Sequence, residues 1–299
     1  MWLLFIVRRG RNVDSMAVVV SNSGTSKIVT ENPDVRIVAL NSISPNKDPG
    51  IHDPKSPGKY RSLWKPISIV IPAHNESVEL PDTLKQVEAA ITDLGVDAQV
   101  IVVNDASTDN TREIALANGC MVVDVELRNI GAVRNAGAKE ATADWVFFVD
   151  ADTRLPSRTL AKAMDMLARG FSGGGAHVAI PPEPKVALLK LMMFFTIKIL
   201  WQSIAGKAAG CFMFCQKSVF EDFGGFDEKV FAAEEWFFSV QAARRGRFGL
   251  VRHPVVTSAR KLHKYSTLEL VRFVTIPILT TAPLFQTRCG LEILYDDTR

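Results

Sequence analysis

Over residues 66–149 the chain alternates short apolar, β-branched runs with segments of helical spacing, and few folds accommodate that pattern. Residues 67–71 (ISIVI), 98–103 (AQVIVV), Met121–Val125 and Trp145–Val149 (WVFFV) read as strands. The first, second and fourth lack polar alternation, as strands covered on both faces do. Between the first two, Leu84, Val87, Ile91 and Leu94 fall at helical spacing, with Pro81 near the start and Gly95 at the end. DASTDNTREIALANG places capping residues over 107–110, Glu113 behind them and Gly119 at the close, which predicts a second helix. A third helix is predicted over residues 135–143. Strands alternating with helices imply βαβ units in an α/β fold with a mostly parallel sheet. Ligands of such sheets bind beyond the carboxyl ends of the strands, so the residues after each run are where chemistry is expected.

After the first run stands Pro72-Ala73-His74-Asn75-Glu76, after the second Asn104-Asp105-Ala106-Ser107-Thr108-Asp109, and after the fourth Asp150-Ala151-Asp152. Asp109 reads as a helix cap. Asp150 and Asp152, two apart in extended chain, are expected to point to one side. Two carboxylates brought together repel unless a cation or proton lies between them. A hard divalent ion, Mg²⁺ or Mn²⁺, with positions left for a diphosphate meets that need. The chain has no G-x-G-x-x-G after the first run and no G-x-x-x-x-G-K-[ST], which disfavours a dinucleotide fold and removes a P-loop NTPase. Arg128 and Arg134, in RNIGAVRNAG, read either as contacts to a base or phosphates or as solvated surface charge.

Lys and Arg total 35 against 32 Asp and Glu, a net charge of +3 that does not point to a nucleic-acid partner. With 47% hydrophobic and 22% charged residues, a wholly disordered, collagenous or coiled-coil chain is excluded. Cys120, Cys211, Cys215 and Cys289 have no zinc-type spacing. Cys211 and Cys215 are expected to share a helix face, and all four read as thiols of a reduced compartment. The opening MWLLFIVRRG carries its positive charges after a short apolar stretch, residues 186–205 are interrupted by Lys190 and Lys198, and residues 273–285 contain Pro277 and Pro283. None reads as a membrane span. The expected location is cytoplasmic, with peripheral contact to the inner face of the membrane left open. Nothing in the sequence speaks to oligomeric state.

Three regions are expected. Residues 1–64 form an extension with β-type pieces over 16–21 and 35–40 and a Pro/Gly-rich linker, and Met16 offers a second start. Residues 65–155 form a half that carries the strand-end residues, and residues 156–299 a second half with a basic C-terminal region.

The stretches IVIPAHNES, VVNDASTDNT, RNIGAVRNAGAKEATADWVFFVDADT and GCFMFCQKSVFEDFGGFDE, followed by EEWFFSVQAARRG, together resemble family 2 glycosyltransferases of the GT-A fold over about residues 66–250. The resemblance implies a GT-A, Rossmann-like sheet flanked by helices, with residues 65–155 as the nucleotide-sugar-binding half and 156–299 as the acceptor-binding half, and an inverting, metal-dependent transfer from a UDP- or GDP-sugar. It puts Pro72, Ala73 and Asp105 on the nucleotide base, with Arg134 near it, and includes Asn75, Glu76 and Ala151 among the donor-binding residues. Asp150 and Asp152 correspond to the D-x-D pair at the ribose and the metal-bound diphosphate, with His263 a third-ligand candidate. Glu234-Glu235 stand in the place of the family's Glu-Asp pair, and Glu235 takes the position of the catalytic base, with Glu234 as the alternative. Asn104 replaces the first of two common aspartates. The Q-x-x-R-W motif of processive members is missing, which implies transfer of a single sugar, a hexose, to an acceptor hydroxyl. The apolar stretch 186–205 and the basic run over 244–272 suggest a lipid-linked acceptor. The runner-up readings are a nucleotidyltransferase and a catalytically silent, membrane-associated protein of the same fold. Residues 206–214 read as an acceptor-side strand, and Trp236, Phe237 and Phe238 mainly as core, Trp236 with the alternative of stacking on a sugar.

Overall fold

The computed structural model describes residues 60–180, 202, 206–230 and 233–258, together with the backbone of 18–22 and 25–29. The chain divides into two units, Met1–Ile51 and His52–Arg299. In the first, β1 (Val18–Asn22) pairs antiparallel with β2 (Thr25–Val29), Val18 opposite Val29. The piece expected over 16–21 is thus a strand displaced by one to two residues. That expected over 35–40 lies outside the described residues, as do the apolar stretch 186–201, His263 and Cys289.

In the second unit, β3 (Ile67–Ala73), β4 (Ala98–Asp105), β5 (Met121–Val125) and β6 (Trp145–Val149) run parallel in the order β5-β4-β3-β6. The sheet continues through β9 (Phe212–Gln216), β8 (Phe171–Ala179), β10 (Arg247–Thr257) and the short β7 (Thr153–Arg154). Here it is mixed: β8 and β10 are parallel, whereas β9 runs antiparallel to both β6 and β8. Among the described residues six α-helices accompany it, α1 (Leu80–Leu94), α2 (Thr111–Ala117), α3 (Ile130–Glu140), α4 (Ser157–Ala168), α5 (Lys217–Asp222) and α6 (Glu234–Arg245).

The apolar runs are covered on both faces, as their lack of alternation requires. Ile67, Ile69, Ile71, Phe147 and Val149 pack with Leu84, Val87, Leu160 and Met164 of α1 and α4. Val70, Ile101, Val103, Val146 and Phe148 pack on the other side with Val133, Phe220, Phe226 and Phe238. Phe148 lies at the centre of an aromatic group, 5.1 Å from Phe226 and 5.3 Å from Phe220 between ring centroids. Helix α1 ends where its sequence says, with Gly95 left-handed at φ 55° and its N–H on the carbonyls of Ile91 and Thr92.

Three expectations give way. Helix α3 begins five residues early, because the Asn129 side chain caps it by accepting the Ala132 N–H at 2.9 Å. Gly137, inside the expected helix, is where it touches the sheet: a Cβ there would lie 2.3 Å from Val70 and 2.7 Å from Val103. Cys211 and Cys215 share no helix face, since Cys215 is in β9 and Cys211 directly precedes it. Of residues 206–214, only the last three are strand.

Candidate functional site

The parallel strands end on one edge. Pro72 and Ala73, read as following the first strand, are the last residues of β3, opposite Val103 and Asn104 of β4. The turn starts at His74. Asn75 follows with a left-handed backbone (φ 52°), and its Oδ1 accepts the Thr108 N–H at 2.8 Å while its own N–H donates to Ser107 Oγ. Glu76 is buried, with its N–H on Thr111 Oγ1. Asp109 accepts from the backbone N–H groups of Ser77 and Thr111. Burial opposes its ionisation, but the hydrogen bonds from Thr111 and Ser77 prevail and hold its pKa below the ordinary value. It lies one residue before the N-cap, Asn110, so it is not the cap itself, but it holds the first N–H of α2 and ties the β3 loop to that helix.

Asp105, at the end of β4, is 6% exposed, and its carboxylate accepts the N–H of Leu127 at 2.7 Å and of Arg128 at 3.0 Å. The residue expected on the nucleotide base therefore also anchors the loop before α3. Asn104 donates to Asp124 at 2.8 Å. His74 Nδ1 lies 2.6 Å from the Asp105 carbonyl oxygen, and Nε2 lies 2.9 Å from Arg128 Nη1. A carbonyl oxygen only accepts and a guanidinium only donates. His74 is thus a neutral ring with its proton on Nδ1. Nothing in the sequence reading singled out His74.

The expected convergence of Asp150 and Asp152 meets a different backbone. Residues 150–153 form a turn closed by the Thr153 N–H on the Asp150 carbonyl (3.0 Å), so extended-chain alternation does not apply. Asp150 Oδ1 accepts from Arg134 Nη2 at 2.8 Å, and Asp152 Oδ1 from Thr257 Oγ1 at 3.3 Å. Both carboxylates still bear on one neighbour: burial first, then Asp150 and Asp152, push the Cys211 thiol well up from its ordinary value. Ala151, between them, is buried and its carbonyl accepts from Thr83 Oγ1 at 2.7 Å.

Arg134, expected beside the base, is instead 2% exposed and lies beneath the site. Its Nη1 donates to Glu234 Oε1 at 2.6 Å, and Nη2 to Asp150 Oδ1 and to the Gly210 carbonyl at 3.0 Å. Burial works against the charged guanidinium, but Asp150 and Glu234 outweigh it and push its pKa up. The early start of α3 explains the position, since residue 134 falls on the helix face that packs against the sheet. Arg134 thereby joins the D-x-D turn to the first turn of α6.

Glu234 is 6% exposed, with one carboxylate oxygen on that guanidinium. Glu235 is half-buried. Burial first, and then the Glu234 carboxylate, hold its carboxyl well above the usual range, at about 8. A Cβ on Gly210 would lie 3.3 Å from Arg134 Nη2 and at ordinary contact distance from Glu234 Oε1 (3.7 Å) and Glu235 Cδ (4.0 Å), so this segment passes over the guanidinium and both carboxyls. The segment is held to α6 by Ser239, whose Oγ accepts from the Ala208 N–H and donates to the Glu235 carbonyl. Phe238 is core, but Trp236 is 37% exposed with the Lys207 ammonium 5.0 Å from its ring centre, so the core expectation for Trp236 does not hold. Among the described residues, the non-glycine positions with positive φ are Asn75, Ala106, Arg128 and Ala233, all in loops that carry these groups. Such strain collects at functional sites.

The glycosyl transferase family 2 profile matches residues 68–224, more than half of the chain. The chain belongs to glycosyltransferase family 2. The undecaprenyl-phosphate 4-deoxy-4-formamido-L-arabinose transferase of Pseudomonas paraeruginosa is 35% identical over 117 residues, which is 37% of this chain and 34% of the relative. The chain thus spans about a third of the length of that relative. The transferase of the same name from Klebsiella pneumoniae is 27% identical over 231 residues, 74% of this chain and 69% of the relative. Among solved structures, the mannosyltransferase PcManGT from Pyrobaculum calidifontis, in complex with GDP-Man and Mn²⁺, aligns with TM-score 0.53 at 17% identity over 79% of this chain and 72% of its own. S. aureus TarS 1-349 in complex with UDP-GlcNAc aligns with TM-score 0.52 at 19% identity over 76% and 70%. These likenesses carry the GT-A fold.

Proposed function

We propose that this family 2 member transfers a single hexose, with inversion, from a UDP- or GDP-sugar to a lipid-linked acceptor, without processive synthesis. The observation that carries the reading is the placement of Asp105, Asp150 and Asp152 at the carboxyl ends of β4 and β6, with Arg134 tying Asp150 to the Glu234–Glu235 pair. Pro72, Ala73, Asn75, Glu76 and Asp105 form the nucleotide side, and Glu235 the acceptor side. Glu234, engaged by Arg134, is the poorer candidate for a proton acceptor.

The oxygen donor set suits a hard divalent ion. Among the described residues no group of three or more His, Cys, Asp and Glu side chains is placed to hold a metal. Mg²⁺ and Mn²⁺ sites in nucleotide enzymes, however, commonly use one or two carboxylates and complete the shell with substrate phosphates and water. Asp152 and Asp150 would hold the ion, which when bound neutralises charge developing on the departing diphosphate. Arg134 keeps one Asp150 oxygen in place, and Asp105 fixes the loop that closes the nucleotide side.

An acceptor hydroxyl needs a base as the new bond forms, and Glu235 in its ionised form supplies one. Single displacement inverts the anomeric centre. A second reading of the acceptor has its own support. The relatives named above are undecaprenyl-phosphate transferases. A phosphate monoester, with a second pKa near 6, brings an ionised nucleophile and needs no base, which fits a Glu235 that holds its proton at neutral pH. A lipid acceptor goes with peripheral contact at the inner face of the membrane. Among the described residues no helix is long and apolar enough to cross one.

The test is release of nucleoside diphosphate from a panel of UDP- and GDP-sugars with and without Mn²⁺ or Mg²⁺, with undecaprenyl phosphate or its alcohol as acceptor. Metal-independent release, or none from any donor, sinks the proposal. With the hydroxyl acceptor, kcat/KM rises with pH through the Glu235 titration and Glu235→Gln abolishes transfer. With the phosphate acceptor, Glu235→Gln retains it.

A further inference from the structure

We infer that Arg128 binds the diphosphate of the nucleotide donor and that His74 positions it, so that donor affinity falls when His74 takes up a proton. The inference rests on the donor reading proposed above. Arg128 is fixed at both ends. Its backbone N–H is held by the Asp105 carboxylate in a left-handed conformation (φ 50°), and its guanidinium by His74 Nε2 at 2.9 Å. His74 is in turn held by the Asp105 carbonyl through Nδ1 at 2.6 Å, with Asn75 Nδ2 3.3 Å from Nε2. Asn75 and Ala106 beside it are also left-handed, at φ 52° and 51°. Three strained residues thus surround one imidazole at the edge where β3 and β4 end, and they deliver an arginine there. A guanidinium fork matches paired phosphate oxygens.

Only one protonation state satisfies this arrangement. With its proton on Nδ1, His74 accepts from Arg128. A second proton, on Nε2, removes that lone pair and sets two cations side by side. Charged groups placed near the ring include Asp105 from β4, whose carboxylate is engaged by the N–H groups of Leu127 and Arg128, Arg128 from the loop before α3, and the buried Glu76 of the same turn. Asp109, from the loop before α2, is bonded to Ser77 and Thr111 on the far side of the turn. Loss of the His74 acceptor therefore frees the guanidinium from the place where the donor needs it.

The test is calorimetric titration of the full chain with UDP and with GDP in Mn²⁺, at pH 8 and pH 5.5. Arg128→Ala, Arg128→Gln and His74→Asn are compared with the parent, and the melting temperature of each variant reports its fold. At pH 8 both Arg128 variants bind the preferred nucleotide about tenfold or more weakly than the parent. At pH 5.5 the gap closes to within about threefold, and taking the ratio at each pH removes the nucleotide's own titration. His74→Asn retains an N–H for the Asp105 carbonyl but offers no acceptor at the Nε2 position. It behaves like the Arg128 variants at pH 8. Parent-like affinity of a folded Arg128 variant at pH 8 overturns the role of Arg128, and a gap that is equal at both pH values overturns that of His74. A parent that binds neither nucleotide refutes the donor reading itself.

Discussion

Replacing Arg134 by methionine keeps much of the buried stem and removes the charge that Glu234 leans on. Glu234 is 6% exposed, so without the 2.6 Å contact its carboxylate must sit unpaired in the interior or take up a proton. Protonation sets the ceiling. Measured from an ordinary glutamate in the unfolded chain, it costs about 3.7 kcal/mol at pH 7 and about 1 kcal/mol at pH 5. The higher figure lies within the roughly 3–5 kcal/mol typical of stripping one partner from a buried ion pair. Asp150 adds less, because its side chain is 32% exposed and water screens it. In the folded variant Glu234 keeps a proton that the unfolded chain releases, so the variant loses stability relative to the parent as pH rises, and the loss is small below the unfolded pKa. At about 2–4 °C per kcal/mol, Arg134→Met melts roughly 7–15 °C below the parent at pH 7 and about 2–4 °C below it at pH 5. Adding Glu234→Gln recovers most of the difference at pH 7. Differential scanning calorimetry at the two pH values decides the matter: an equal deficit at both, or a double variant no more stable than the single one, refutes the electrostatic account of this bridge.

Glu235 presents the same linkage without a mutation at Arg134. Its carboxyl, held up to about 8, keeps a proton in the folded state that the unfolded chain loses above about 4.5, so the parent loses stability between those values. Glu235→Gln therefore melts above the parent at pH 8 and close to it at pH 4.5, and equal melting at pH 8 would show that the group ionises freely. Asp152→Asn removes Mn²⁺-dependent donor binding in a calorimetric titration, whereas retained metal-dependent affinity excludes Asp152 as a ligand. Gly137→Ala drives a methyl into Val70 and Val103 at 2.3 and 2.7 Å and lowers stability by about 1–3 kcal/mol in urea unfolding, against the roughly 1 kcal/mol that alanine gains in a helix. A variant as stable as the parent would mean that α3 can back away from the sheet.

The runs at Ile67–Ala73 and Trp145–Val149 were legible because both are buried on both faces, so hydrophobicity alone marks them, whereas Met121–Val125, an edge strand with Met121 and Asp124 exposed, is marked by its β-branched residues. The edge they form also drew attention to Asp105, Asp150 and Asp152 before any coordinates. What escaped depends on relations that a one-dimensional pattern does not carry. Helix α3 starts five residues before its sequence pattern suggests because its first turn holds Gly131, whose low helix propensity is overruled by the Asn129 cap and by tertiary contact. That shift decides the fate of Arg134. Read as a loop residue it belongs with the nucleotide; counted from residue 130 it falls with Val133, Gly137 and Ala138 on the buried face. The turn at 150–153 works the same way, since a hydrogen bond from Thr153 redirects two carboxylates whose spacing suggested a shared side. His74 was passed over because its role comes from strand register. Pro72 opposite Val103 and Ala73 opposite Asn104 put residue 74 beside the Asp105 carbonyl, and only then does the imidazole meet Arg128, 54 positions along the chain. Where a residue ends up in this site is thus set by helix phase and strand register, and its chemistry follows from the neighbour it meets there.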